Sequence, residues 1–300
     1  MIGRSTAIAE RLMPPRGSVR TLRRAVAATL VALVALVGTG GWVRLSDSGL
    51  GCTTWPRCFA DDFVARGTYH SLVEFINRCV IIAVGGLVVA TFALAVWHRP
   101  RRTDLVWCAA GLAVGYVAEA VLGGLSVLRG LAPVVVAVHM AVALVLVAIT
   151  VILYHRAAAR APYPVTPGGP QVRLGRLMLA VLGIAIIVGT VVTGSGPHAG
   201  QPGTPRLPLP RPAVTELHAV IGIFLLGLIV SGYFFLRAGH VPDGARRGYR
   251  WIVTLMLAQT GVGYLQYFTG LPADLVELHM LGAAVLVALL VHTYLALTTA

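Results

Sequence analysis

Few residues in this 300-residue chain can do chemistry, and they are regularly placed. His70, Glu74, Asn77 and Arg78 are spaced i, i+4, i+7 and i+8, so a helix puts all four on one face. Glu216 with His218, and Glu277 with His279, give two further carboxylate and imidazole pairs, while His139 stands without such a neighbour. Neutral imidazoles on two facing helices can hold a heme iron from both sides. His218 and His279 are therefore read as the ligands of a bis-histidine b heme. In the same scheme His139 faces Asn77, which leaves one side of an iron there open or weakly held, as oxygen chemistry on a heme requires. Glu74, a turn away, is placed to accept a proton or to steady developing positive charge. His70 lies about 10 Å along the helix from Asn77, where it would meet a heme propionate. Plainer readings stand beside these. The histidines would only bond neighbouring helices, Glu74 and Arg78 would neutralise each other, and zinc would require three or four gathered ligands.

The elements that must position these groups are membrane spans. The chain is 57% hydrophobic and 12% charged, with long apolar runs separated by segments rich in Arg, Pro and Gly. About 20 apolar residues are needed to cross a bilayer. By that measure eight spans are predicted, near residues 25–43, 70–97, 104–126, 133–154, 174–194, 213–236, 250–269 and 273–297. The first is read as a retained span, not a cleaved leader.

The net charge of +13 comes from arginines placed by topology, not by nucleic-acid binding. They cluster before the first span (Arg4, Arg11, Arg16, Arg20, Arg23, Arg24) and in alternate connections (Arg99, Arg101, Arg102; Arg156, Arg160, Arg173, Arg176; Arg237, Arg246, Arg247, Arg250). These segments are expected to be cytoplasmic, with both termini inside. His98, His155 and His240 fall among them and are expected to be solvated or at headgroups, with His292 also on that side. His139, His218 and His279 then share a depth near the opposite surface.

Sliding the chain on itself by 140 residues aligns Val138-His139-Met140 with Leu278-His279-Met280. Gly123, Leu125, Gly130 and Leu131 meet Gly263, Leu265, Gly270 and Leu271 at the same offset. Gly38-Thr39 echoes Gly189-Thr190, and Asn77 falls one position off the same register from His218. Four spans per half make the repeat parallel. The fold class is thus an all-α integral membrane protein of two pseudo-symmetric four-helix bundles, residues 25–155 and 173–300, joined by a cytoplasmic linker, 156–172, and preceded by a basic segment, 1–24. Cys52 and Cys58 lie in the first extracytoplasmic loop, where an oxidising compartment permits a disulfide. Cys79 and Cys108 lie within spans as small apolar residues.

Gly38-Thr39-Gly40-Gly41-Trp42-Val43-Arg44-Leu45, Ser48-Gly49-Leu50-Gly51-Cys52, Trp55-Pro56-Arg57-Cys58 and Glu74-Phe75-Ile76-Asn77-Arg78 together resemble the heme A synthase family of cytochrome oxidase assembly enzymes. The resemblance covers nearly the whole chain. It implies a b heme on His218 and His279, and heme O as the substrate of the first half. Its C8 methyl would be oxidised there to a formyl group. It also implies Glu74 as the essential carboxylate, His139 as a ligand to substrate heme, and a Cys52–Cys58 disulfide. Arg78 and Arg211 would pair with propionates. The implied partners are a heme O synthase (the protoheme farnesyltransferase), an unidentified electron donor and membrane lipid. A homo-oligomer is possible and nucleic acid is not expected.

The chain departs from the family where many members carry histidine in place of Asn77. It departs again in the loop Ser195-Gly196-Pro197-His198-Ala199-Gly200, which lacks a second cysteine pair. Glu119, at the offset of Gln259, stands where the family's glutamine is expected, as a helix-packing group. The competing readings are a b-type cytochrome relaying electrons from quinol, a transporter suggested by the parallel repeat, and a quinone-linked thiol oxidase.

Overall fold

A computed structural model describes residues 19–158, 169–238 and 243–298. Among them the chain forms eight α-helices and no strand: α1 (Val19–Leu45), α2 (Tyr69–Trp97), α3 (Thr103–Leu128), α4 (Pro133–Ala158), α5 (Pro170–Ser195), α6 (Arg211–Ala238), α7 (Asp243–Phe268) and α8 (Ala273–Thr298). Arg4, Arg11, Arg16, Arg160 and His240 lie outside the described residues. The helices outrun the apolar segments that predict them, because backbone hydrogen bonding continues into the headgroup region once a helix is formed.

Local sequence sets where the helices begin and end. Thr68 caps α2 by accepting the Ser71 N–H at 3.2 Å. Proline opens α4 and α5, where its missing N–H costs nothing. At the end of α3, Gly130 and Leu131 adopt φ of 58° and 59°, and the Leu131 N–H reaches back to the Ser126 carbonyl at 2.7 Å. At the end of α7, Gly270 and Leu271 adopt 84° and 63°, and the Leu271 N–H reaches the Gln266 carbonyl at 2.7 Å. The turn predicted to recur after 140 residues therefore recurs in its backbone, including a left-handed leucine that non-glycine residues rarely supply.

Helices α1 to α4 close one ring and α5 to α8 a second, each helix packing on its sequence neighbour and the last returning to the first. Between the rings α4 packs on α8, α1 on α8, and α5 on α4. Exchanging α1 with α5 and α4 with α8 leaves that set unchanged, as an approximate twofold axis between the halves requires. One arginine to tyrosine bond closes each ring at the end rich in arginine: Arg23 to Tyr154 at 2.9 Å and Arg176 to Tyr294 at 3.2 Å.

Small and hydroxylated residues make the close approaches, as expected where lipid removes the hydrophobic drive between helices. The Thr29 and Thr91 hydroxyls meet at 2.9 Å between α1 and α2, and Gly175 faces the ring of Tyr294. Large apolar side chains such as Val31, Ile82, Trp107, Val114 and Phe268 point outward, toward lipid. The protein is a multi-pass, all-α integral membrane protein. Seven of the eight helices are long and apolar enough to cross a bilayer. The exception, α7, has the same length as α8, but Arg246, Arg247 and Arg250 occupy its first turns and shorten its apolar stretch.

Two histidines expected to be solvated are not. His98, in the short connection between α2 and α3, is only 3% exposed. His155 bonds His292 through ring nitrogens 2.7 Å apart, since α4 and α8 pack together and bring the two rings face to edge.

Candidate functional site

Helices α2 and α4 in the first ring, and α6 and α8 in the second, stand diagonally and make no direct helix packing among the described residues. The middle of each ring is therefore left to side chains, the usual place for a cofactor in a helix bundle. His218 on α6 and His279 on α8 meet there with ring centres 6.1 Å apart and planes at 77°. With metal to imidazole bonds of about 2 Å, two rings on opposite sides of one iron have centres about 6 Å apart. The spacing fits a bis-histidine heme.

A glycine seats each of these rings. A Cβ on Gly189 of α5 would come within 3.0 Å of His218, one on Gly263 of α7 within 3.4 Å of His279, and one on Gly123 of α3 within 3.2 Å of His139. The missing side chain lets the imidazole lie against the neighbouring helix. The inner ring nitrogen Nδ1 is buried in all three without an aligned hydrogen bond. His218 leans toward the Ala185 carbonyl and His279 toward that of Gln259, in each case one turn before the glycine. The seat is thus one device used three times, and the sequence shows it only in part, since Gly123 and Gly263 share the 140-residue offset and Gly189 does not. No group of three or more possible metal ligands occurs among the described residues.

The first ring differs. Asn77 is bonded to α1. Its side-chain oxygen accepts from the Thr39 hydroxyl at 2.7 Å, and it lines a cleft of about 520 Å³ with Gly38, Thr39 and Trp42 of α1 and Glu277 and Leu281 of α8. Glu277, paired in sequence with His279, thus faces the other half, where one of its oxygens is buried without a partner. His139 instead lies beside Glu119, with Nδ1 and Oε1 2.9 Å apart. Glu119 is the residue that sequence reasoning undervalued, because its contact comes from a different helix 20 residues away.

Glu74 is 4% exposed and both its oxygens are engaged. One accepts the Cys52 N–H at 2.7 Å and the other pairs with Arg78 at 2.6 Å. Arg78 also donates to the carbonyls of Thr54, Pro56 and Arg57. Both of its terminal nitrogens are engaged by the loop and by Glu74. The Cys52–Cys58 disulfide is formed, with the cysteine Cα atoms 4.3 Å apart. Trp55 within that loop lies on Gly124, next to the Gly123 seat of His139. The loop is therefore fixed to α2 by Glu74 and Arg78 and to α3 by Trp55, and it roofs the first ring. His70 is exposed, and its Nδ1 lies 3.0 Å from the Ser48 hydroxyl at the loop's start. Arg211 is exposed at the start of α6.

The fold and its histidines define an all-helical membrane protein of two four-helix rings, with a histidine pair in one ring and a histidine beside a carboxylate in the other. The cytochrome oxidase assembly protein family matches residues 63–201. A heme A synthase of Symbiobacterium thermophilum is 30% identical over 262 residues, covering 82% of this chain and 85% of the relative. One from Bacillus cereus is 23% identical over 291 residues, covering 89% and 90%. One from Lysinibacillus sphaericus is 32% identical over 133 residues, covering 43% and 42%. This chain belongs to the heme A synthase family.

Proposed function

We propose that the chain oxidises heme O to heme A, with the first ring holding the substrate and the second a resident b heme. The observation that carries this reading is the asymmetry of the two rings: His218 and His279 face each other at 6.1 Å, while the position that matches His218 in the first ring is Asn77, whose side chain is bonded to Thr39. A metal held on both sides is suited to passing electrons, and one held on a single side leaves room for oxygen chemistry. When bound, the b heme supplies electrons one at a time.

The reaction converts the C8 methyl to a hydroxymethyl and then to a geminal diol, which loses water to leave the formyl group. Each hydroxylation would use one dioxygen, one oxygen atom entering the C–H bond and the other leaving as water, with two electrons drawn from the carbon and two from the donor, so that four electrons leave the carbon in all. The residues of this chain bind and exclude. His139 holds the substrate iron from the α4 side. The roofing loop closes the ring toward water. Glu74, fixed by the Cys52 N–H and Arg78, is an ordered negative charge that steadies positive charge developing on the substrate, a role that fits its two occupied oxygens better than proton uptake. Arg211 and His70 are exposed at the same end and are placed to pair with propionates. The disulfide end faces the extracytoplasmic side and the arginine-rich end the cytoplasm. A heme O synthase supplies the substrate, and a separate donor supplies electrons.

The test is to express the chain with a heme O source, then extract and weigh its hemes. Heme A or its hydroxylated precursor is expected, whereas heme b alone in both rings would refute the proposal. Glu74→Ala should abolish conversion and leave the b heme spectrum. His218→Ala and His279→Ala should each remove that spectrum.

A further inference from the structure

Glu119 is a carboxylate in the middle of a membrane span, 8% exposed, with one oxygen 2.9 Å from His139 Nδ1 and the other buried without a partner. Ionisable groups at such positions are costly and are kept for a specific contact. Among the described residues, the contact available to Glu119 is the imidazole. The two atoms are within hydrogen-bond distance but not aligned, so the ring must turn to complete the bond.

The other half shows what Glu119 adds. Gly123 and Gly263 seat His139 and His279 in the same way, and the residues one turn earlier are Glu119 and Gln259. Gln259 donates its amide to the His279 carbonyl at 2.9 Å, so it braces the helix and leaves the ring to a backbone carbonyl. Glu119 offers the ring itself an anionic acceptor. A carboxylate on the far nitrogen of a ligating histidine fixes the tautomer and the ring plane and makes the ligand a stronger donor. His218 likewise has a backbone carbonyl, from Ala185, in that place.

We propose that Glu119 is the positioning residue of His139: it holds the proton on Nδ1, turns Nε2 toward the middle of the first ring, and gives that site a more electron-rich ligand than either histidine of the second. This rests on the reading of His139 as the ligand of substrate heme, and the test separates the two.

The heme-free full-length chain, labelled with 15N-histidine, reports the tautomer directly. His139 should carry its proton on Nδ1 in the parent and in Glu119→Gln, whose amide oxygen still accepts, and should lose that preference in Glu119→Leu. Titration with heme O should then show affinity at the first site falling ten- to a hundredfold in Glu119→Leu. Glu119→Gln should retain binding but raise the midpoint potential of that heme, with the b heme potential unchanged in both variants. A His139 protonated on Nε2 in the parent, or a Glu119→Leu chain with unaltered tautomer and heme affinity, overturns the proposal. A parent chain with the Nδ1 tautomer but no heme bound through His139 would instead refute the ligand reading, and with it the part of the proposal that concerns heme.

Discussion

At the scale of single residues, glycine does as much as histidine to define the two sites. An imidazole can lie flat on a helix only where the position beneath has no Cβ, and Gly123, Gly189 and Gly263 each provide that. The clearances rank the cost of filling them. Gly189→Ala would place a methyl 3.0 Å from His218, tighter than ordinary contact, while Gly263→Ala would place one 3.4 Å from His279, at its edge. Gly189→Ala should therefore displace the ring and reduce b heme content by half or more, and Gly263→Ala should leave it nearly intact. Reduced-minus-oxidised spectra of the purified variants, normalised to protein, check the order. Gly123→Ala should leave that b heme signal unchanged, since its histidine belongs to the other ring.

Among the elements, the connections after α3 and α7 test how far the repeat extends into energetics. Leu131 and Leu271 both hold a left-handed backbone, a conformation that costs a side-chain-bearing residue about 1–2 kcal/mol. Their side chains differ. Leu131 is 8% exposed and fits between Gly49 and Gly200, whose backbones are joined by a 2.8 Å hydrogen bond from one half's loop to the other's. Leu271 is only half-buried. Leu271→Gly should be nearly neutral, because relief of the backbone offsets the lost contact. Leu131→Gly should destabilise by about 1–2 kcal/mol, because burying a leucine is worth more than the relief. Thermal unfolding of the two variants in detergent distinguishes them.

In the whole molecule, the halves are held together along α4 and α8, and the His155 to His292 bond sits at the end of that contact far from the disulfide loop. It joins residues unrelated by the 140-residue offset, since His155 aligns with Leu295 and His292 with Ile152. The bond is therefore a feature of the assembled pair of rings, not a copy of one inherited by each. Leu replacements at either position should each destabilise the protein, and the double replacement should cost less than their sum, with a coupling of about 1 kcal/mol in a double-mutant cycle. Additive effects would mean that the two rings stand near each other without a mutual bond of any worth.

The sequence alone determined the membrane class, the number of helices, the parallel repeat and the histidines shared by the two halves. All of these follow from patterns local to a helix or repeated along the chain: apolar runs, arginine placement, and a His-Met pair recurring at one offset. It also placed Cys52 and Cys58 in one short loop, where the structure joins them. Only the tertiary structure decided how the rings became unequal. Asn77 turned to Thr39, Glu74 and Arg78 were drawn into fastening the loop, Glu277 faced across to α1, and Glu119 met His139. Each of these choices depends on which helix lies beside which face, and helical periodicity fixes the face a residue occupies but not the neighbour it finds there.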